Sequence, residues 1–390
     1  MKQFRRLIST YLSITILVIF VFSSNTTCNA QKSNTDLKAE VIELLKATEY
    51  DNAIELLEQN MDVVQNDTTG LFEALTELYI YRDNWQEILN INQSRTMDAD
   101  SSWGLLAKAF LKYPKQKISF TSNDTIPFET NKFNATLIDV VINGAKYKFW
   151  FDTGCPITVI SSKVAKKCGV KEETSCKIGV SLTGSSTFNS PGVINSLLIG
   201  NVKLENHKCL ILNKKTLQFR ILGIPLVSAN GIIGWNFFKN FDVTLNDKDK
   251  TLILKSIEQD EVQDKNFFWF SQPYVEATDS KGESQYFMYD TGAANTIFYD
   301  NYLDIADTTK AEKKIIEVTT NSGKKNIEVF SFPNVDFKIG GKQFSFKNVT
   351  TMSERSDYLF FDIIGLFGKQ EVKGKIVQFN AEQGYFIITE

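Results

Sequence analysis

Two carboxylate residues sit in identical tripeptides, Asp152-Thr153-Gly154 and Asp290-Thr291-Gly292. Each follows an aromatic-rich run, Phe149-Trp150-Phe151 or Phe287-Met288-Tyr289, and each precedes a short apolar one ending at Ile160 or Phe298. Held side by side, two carboxyls cannot both ionise easily, so they share a proton. The ionised member can activate a water while the protonated member polarises a carbonyl. One copy alone reads as an ordinary turn in which Asp accepts backbone N–H bonds. Two copies in matching contexts predict a pair. Little else in the chain competes for chemistry. A single histidine, His207, leaves no room for a His-based triad or a multi-His metal site, and no cysteines are spaced as zinc ligands. No metal and no cofactor are therefore expected. His207 follows Asn206 in an expected turn, which predicts an exposed, non-catalytic side chain.

The elements that must position the pair are duplicated. From about residue 126 onward the chain is expected to be mainly β, with short apolar runs such as Ala135–Ile142, Lys146–Phe151, Ser196–Ile199, Lys208–Leu212 and Thr251–Leu254. Gly and Asn punctuate these runs, as in Asn143-Gly144. Asp152 is followed by a polar Gly-bearing turn at Thr183-Gly184-Ser185, then by Ile232-Ile233-Gly234. Asp290 is followed at near-equal spacing by Asn321-Ser322-Gly323, then by Ile363-Ile364-Gly365. Each half ends in a hairpin pattern, Phe241–Lys255 and Gly374–Thr389. Four features in the same order predict a tandem duplication.

Before the β region, residues 31–115 read as helical, with Val41, Leu44 and Leu45, then Ile54 and Leu57, then Leu71, Leu75 and Leu78 at helical spacing. Tyr50–Leu57 resembles Arg82–Leu89, an offset near the roughly 34-residue period of tetratricopeptide-type hairpins. Two such TPR-like units and one further helix near Ser101–Tyr113 are expected. Their role stays open between a recruiting arm for a protein partner, a prodomain and a structural brace. Pro114–Thr125 reads as a linker.

Residues 1–30 have the layout of a signal peptide: Lys2, Arg5 and Arg6, an apolar core Leu12–Phe22, and Cys28-Asn29-Ala30 before Gln31. The core is short for a membrane span, and Asn25-Thr26-Thr27 is a poor context for acylating Cys28. Export to a periplasmic, cell-envelope or secreted location is expected. In an oxidising compartment, Cys155, Cys168, Cys176 and Cys209 could form bridges, Cys168–Cys176 closing the shortest of these loops, or stay as free buried thiols. A formal net charge of -3 argues against nucleic acid as a partner.

The two halves resemble retropepsin-like aspartic proteases, in particular the bacterial gag-polyprotein-like aspartyl proteases, in a tandem two-lobe form. Apolar-Asp-Thr-Gly, the apolar run after it, the Gly-bearing hairpin and the later apolar-apolar-Gly element carry the resemblance, which spans roughly residues 120–390. It implies two acid-protease β-barrel lobes, 116–256 and 257–390, behind the helical segment. It also implies roles. Asp152 and Asp290 would be catalytic, with Thr153, Gly154, Thr291, Gly292, Gly234 and Gly365 supporting their loops. Thr183, Gly184, Ser185, Ser322 and Gly323 would belong to substrate-binding flaps over an extended peptide. The function implied is an exported aspartic endopeptidase, active as a monomer on peptide or protein substrates. The alternative is a protease fold whose catalysis has lapsed, leaving a peptide- or partner-binding protein. Cys155 departs from the small residue usual after the first motif.

Overall fold

The computed structural model describes residues 33–94, 102–120, 124–131, 134–173, 176–180, 186–213, 217–221, 224–257, 262–320, 323–352 and 360–390. It is mainly β with a helical segment ahead of two closed six-stranded barrels. The signal-type residues 1–30 lie outside the described residues. No described helix is long and apolar enough to cross a membrane.

Helix α1 (Asn34–Lys46) starts where Ser33 accepts a hydrogen bond from the Asp36 backbone, and it buries Leu37, Val41 and Leu45 on one face. There follow α2 (Tyr50–Glu58), α3 (Met61–Gln65), α4 (Leu71–Tyr81), α5 (Trp85–Ser94) and α6 (Ser102–Phe110). The N-terminal segment is thus helical, and α6 falls where the final helix is expected. The helices are fastened to the β region by buried polar contacts rather than by a tether. The Tyr50 hydroxyl accepts from the Trp269 backbone at 2.9 Å and donates to the Ala381 carbonyl at 2.8 Å. Tyr81 lies between Tyr50 and Trp269, with ring centroids 4.7 and 4.6 Å away. Arg82 bridges Asp51 at 2.7 Å and Glu382 at 2.8 Å, while Lys208 of the first lobe reaches Asp83 at 2.7 Å. One helical segment therefore braces both lobes.

The first barrel contains β1 (Thr136–Ile142), β2 (Ala145–Phe151), β3 (Val159–Ser161), β4 (Ser186–Ile199), β5 (Val202–Leu212) and β6 (Gly231–Ile233). Its order is β1-β2-β6-β3-β5-β4, closed by β4 pairing back onto β1. The second contains β7 (Gln272–Asp279), β8 (Ser284–Asp290), β9 (Ile297–Tyr299), β10 (Gly323–Ile339), β11 (Lys342–Met352) and β12 (Gly365–Gly368). Its order repeats the first, β7-β8-β12-β9-β11-β10, closed by β10 on β7. Closure leaves neither barrel an open edge. In β1, Thr136, Ile138, Val140 and Ile142 alternate inward, as a period of two requires. The β1–β2 connection is Asn143-Gly144 with φ of +48° and +88°, the left-handed pair that a two-residue hairpin needs.

The terminal hairpins of the two halves join. Strands Asp242–Asn246 and Thr251–Lys255 from the first half, and Ile376–Asn380 and Tyr385–Thr389 from the second, form a continuous sheet through the pair Leu245↔Val377. Asp124–Thr130 extends it and leads into β1. The expected linker at 114–125 is corrected in part, because Lys117–Phe120 forms a strand on β5. Its alternating Ile118 and Phe120 escaped notice beneath the flanking polar residues. His207 is also corrected: it is fully buried in β5 rather than exposed in a turn. Asn206 does take a left-handed φ of +57°, yet pairing with β4 continues on both sides of it, at Glu205 and His207.

Candidate active site

Each Asp-Thr-Gly turn leaves the end of a central barrel strand, β2 or β8, and the two turns meet between the lobes. Thr153 N donates to Thr291 Oγ1 at 3.0 Å, and Thr291 N donates to Thr153 Oγ1 at 3.0 Å. The hydroxyls pass their own protons onward across the same junction. Thr153 Oγ1 donates to the Tyr289 carbonyl at 2.8 Å, and Thr291 Oγ1 to the Phe151 carbonyl at 3.2 Å. Both threonines are buried. The exchange fixes one turn against the other.

Beside this junction the carboxyls face one another. Gly154 N donates to Asp152 Oδ1 at 3.0 Å; Gly292 N and Ala293 N donate to Asp290 Oδ1 at 2.7 and 3.2 Å. A Cβ on Gly154 would come within 2.6 Å of Asp290 Oδ1, and one on Gly292 within 2.5 Å of Asp152 Oδ2. The glycines are thus demanded by the approach of the opposite carboxyl, not by backbone conformation. Burial, then the neighbouring Asp290 charge, pushes the Asp152 carboxyl well above the usual carboxylate range. Burial also raises Asp290, but the N–H donors from Gly292 and Ala293 offset part of this. Of the two, Asp152 is therefore the better placed to hold the pair's shared proton. Burial of Cys155, beside the pair, pushes its thiol far up as well.

The backing elements show where the duplication was misaligned by the sequence reading. In β6, Ile233 pairs with Phe151, so Gly234 lies level with the first Asp-Thr-Gly turn. In β12, Phe367 pairs with Tyr289 and Gly368 with Asp290. The counterpart of Gly234 is Gly368; Gly365 instead pairs with Phe287, three residues deeper. A Cβ at Gly234 would meet the Cys155 carbonyl at 2.6 Å, and one at Gly368 the Asn295 carbonyl at 2.4 Å. Gly365 has its own constraint, the Ile297 carbonyl 2.1 Å from such a Cβ. Matching Gly231-Ile-Ile-Gly234 to Gly365-Leu-Phe-Gly368 gives the true register.

Two further pairs were missed. Thr158 Oγ1 accepts from Gly234 N at 3.3 Å, and Thr296 Oγ1 from Gly368 N at 3.1 Å. Each follows its aspartate at the same offset, which was a legible signal. In the first lobe Asn236 Oδ1 also accepts from Thr158 N at 2.8 Å and Thr158 Oγ1 at 2.9 Å. His207 Nε2 lies 2.8 Å from that hydroxyl, and its Nδ1 2.7 Å from Gln116 Oε1. Burial, with Lys208 and Lys239 nearby, lowers His207 to about 3, so the ring is neutral. In the second lobe the residue after Gly368, Lys369, buries its ammonium against Thr136 Oγ1 at 2.6 Å and the Asn134 carbonyl at 3.0 Å of the first lobe.

The expected flaps are placed only as far as their stems. Strand Cys176–Val180 pairs with β4 up to Val180↔Ser186, while Thr183, Gly184 and Ser185 lie outside the described residues. Strand Glu312–Thr320 pairs with β10 up to Thr320↔Gly323; Ser322 lies outside them. Gly323 thus ends a hairpin stem. Cys155, Cys168 and Cys209 are free thiols, so the Cys168–Cys176 bridge is not formed. No group of metal-ligating side chains occurs among the described residues.

Residues 138–237, most of the first lobe, match the family model described as aspartyl protease. Among solved structures, the chain is similar to a retropepsin-like aspartic protease from Rickettsia conorii, at 22% identity over 36% of this chain and 95% of that one, with a TM-score of 0.24. It matches no curated protein.

Proposed function

We propose that this chain, whose first lobe carries an aspartyl protease domain, is an exported aspartic endopeptidase with one Asp152/Asp290 site shared by its lobes. The observation that carries the reading is the reciprocal Thr153–Thr291 exchange beside two carboxyls that each occupy the space a Cβ on the other turn's glycine would fill. A binding protein has no use for two mutually repelling carboxylates held at such cost.

In this mechanism ionised Asp290 takes a proton from the attacking water, and Asp152 gives its proton to the scissile carbonyl oxygen. The resulting tetrahedral diol collapses as the amide nitrogen gains a proton and the C–N bond breaks. The products are a carboxylic acid and an amine, and the dyad again holds one proton. Because both aspartates lie on one chain, a monomer suffices. The hairpin stems suit an extended peptide that adds its backbone to a flap strand. The charged n-region and apolar core within residues 1–30 support export. The helical segment serves as a brace, its Tyr50 and Arg82 fastened to the second lobe and its Asp83 to Lys208 of the first.

The test is hydrolysis of a diverse peptide mixture, with and without a peptide analogue carrying a hydroxyl in place of the scissile carbonyl. Internal cleavage blocked by the analogue is expected. Folded protein that neither cleaves nor binds the analogue would overturn the reading.

A further inference from the structure

A pocket of about 280 Å³ opens between the helical segment and the back of the first catalytic turn. At roughly 30 Å³ per water it has space for about nine waters. Its charged lining is unevenly paired. Arg82, Lys208 and Lys239 face the lining carboxylates Asp83 and Glu382, and Arg82 also bridges Asp51. Both carboxylates are already engaged. Asp83 Oδ2 accepts from Lys208 at 2.7 Å and its Oδ1 from the Trp85 indole at 2.5 Å, while Glu382 accepts from Arg82 at 2.8 Å. Lys239, half-buried, donates to the Tyr81 carbonyl and sits over the Tyr81 ring, with no carboxylate in salt-bridge range among the described residues. An ammonium offers three donors, so two remain for the pocket.

We propose that this pocket binds a small monocarboxylate, with Lys239 as its counter-ion. Lys239 is the one lining cation without a carboxylate in salt-bridge range among the described residues, so it can match one negative charge; a dianion would leave a negative charge uncompensated in a partly desolvated space. The volume excludes all but a residue or two. A free organic acid and the C-terminus of a peptide present the same group. The pocket also shares a wall with the catalytic turn, since Asn236 lines it and holds Thr158. The site is separate from the dyad and stands whether or not the chain is a peptidase.

The experiment follows the thermal midpoint of the full chain against N-acetylglycine, with N-acetylglycine amide and sodium chloride as controls. A ligand that binds the native state raises the midpoint in a saturable way. The acid alone should do so, equally in Asp152→Asn, and at least roughly tenfold more weakly in Lys239→Met, which loses the counter-ion. Glu382→Gln, which removes a competing carboxylate, should tighten binding and guards against misfolding of the lysine variant. Acetyl-Gly-Gly-Gly replaces the acid in a second arm: a stronger response marks a peptide terminus as ligand, a weaker one a free acid. A response to the amide or to chloride equal to that of the acid, no saturable response, or one unchanged in folded Lys239→Met and Glu382→Gln would overturn the proposal.

Discussion

Thr153 and Thr291 each donate a backbone N–H to the other's hydroxyl at 3.0 Å, so neither Asp-Thr-Gly turn is fully hydrogen-bonded without the opposite lobe. The contact couples folding of the lobes to assembly of the site. A buried donor left without its partner costs about 1–3 kcal/mol. Thr153→Val should therefore destabilise the chain by about that amount and depress kcat, whereas Thr153→Ser, which keeps the hydroxyl, should remain near wild type in both. Urea unfolding together with steady-state kinetics checks this. Equal losses in the two variants would make the methyl group, not the hydroxyl, the important part.

Gly292→Ala places a Cβ 2.5 Å from Asp152 Oδ2, so the carboxyl must move. Displacing a reacting group by about 1 Å costs on the order of 100-fold. We expect kcat to fall by about that factor with KM little changed, since the substrate-binding surface is untouched. Gly368→Ala should act less directly, by pushing on the Asn295 carbonyl behind the turn, and should show mainly in the thermal midpoint.

The dyad and His207 make opposite contributions to stability as pH changes. Folding raises the Asp152 carboxyl, so the native state holds extra protons at mid-range pH, and the associated stability is lost as pH rises through the folded value. Asp152→Asn should then be more stable than wild type at pH 7, by a few degrees in midpoint, and lose that advantage in acid. His207 is lowered from 6.5 to about 3, so the unfolded chain binds the extra proton between these values. Its contribution falls as pH drops through that window, by up to about 1.4 kcal/mol per pH unit. His207→Gln should flatten the acid side of the stability profile. Unfolding midpoints of the three proteins from neutral to acid pH decide both signs.

The helical segment is predicted to be inseparable from the lobes. Tyr50→Phe removes the acceptor of Trp269 N and the donor to the Ala381 carbonyl. A cost of about 1–3 kcal/mol is expected in a single cooperative transition. Helices that unfold in their own earlier transition, with the lobes unaffected, would show a tether rather than a brace.

What the sequence disclosed was what repeats locally. Two Asp-Thr-Gly turns, their apolar flanks and the hairpin stems are short-range patterns, and the first helix declares itself through Val41, Leu44 and Leu45 at helical spacing. Long-range register was not legible. Ile364-Gly365 and Phe367-Gly368 both look like the Ile233-Gly234 step, and only the pairing of Phe367 with Tyr289 separates them. His207 was misplaced for a related reason: Asn206 has turn chemistry and a left-handed φ, but pairing with β4 overrides that local preference. The pocket beside Lys239 was invisible, because Arg82, Lys208, Lys239 and Glu382 meet from four distant parts of the chain.

The central claim is that two lobes share one catalytic proton. The most direct test is peptide cleavage by wild type, Asp152→Asn and Asp290→Asn from about pH 3 to 8, a span that brackets a coupled carboxylate pair. The account predicts a bell-shaped profile for wild type and loss of cleavage in each single variant. Cleavage surviving in either folded variant would contradict it, because the lobes would then not act through one shared site.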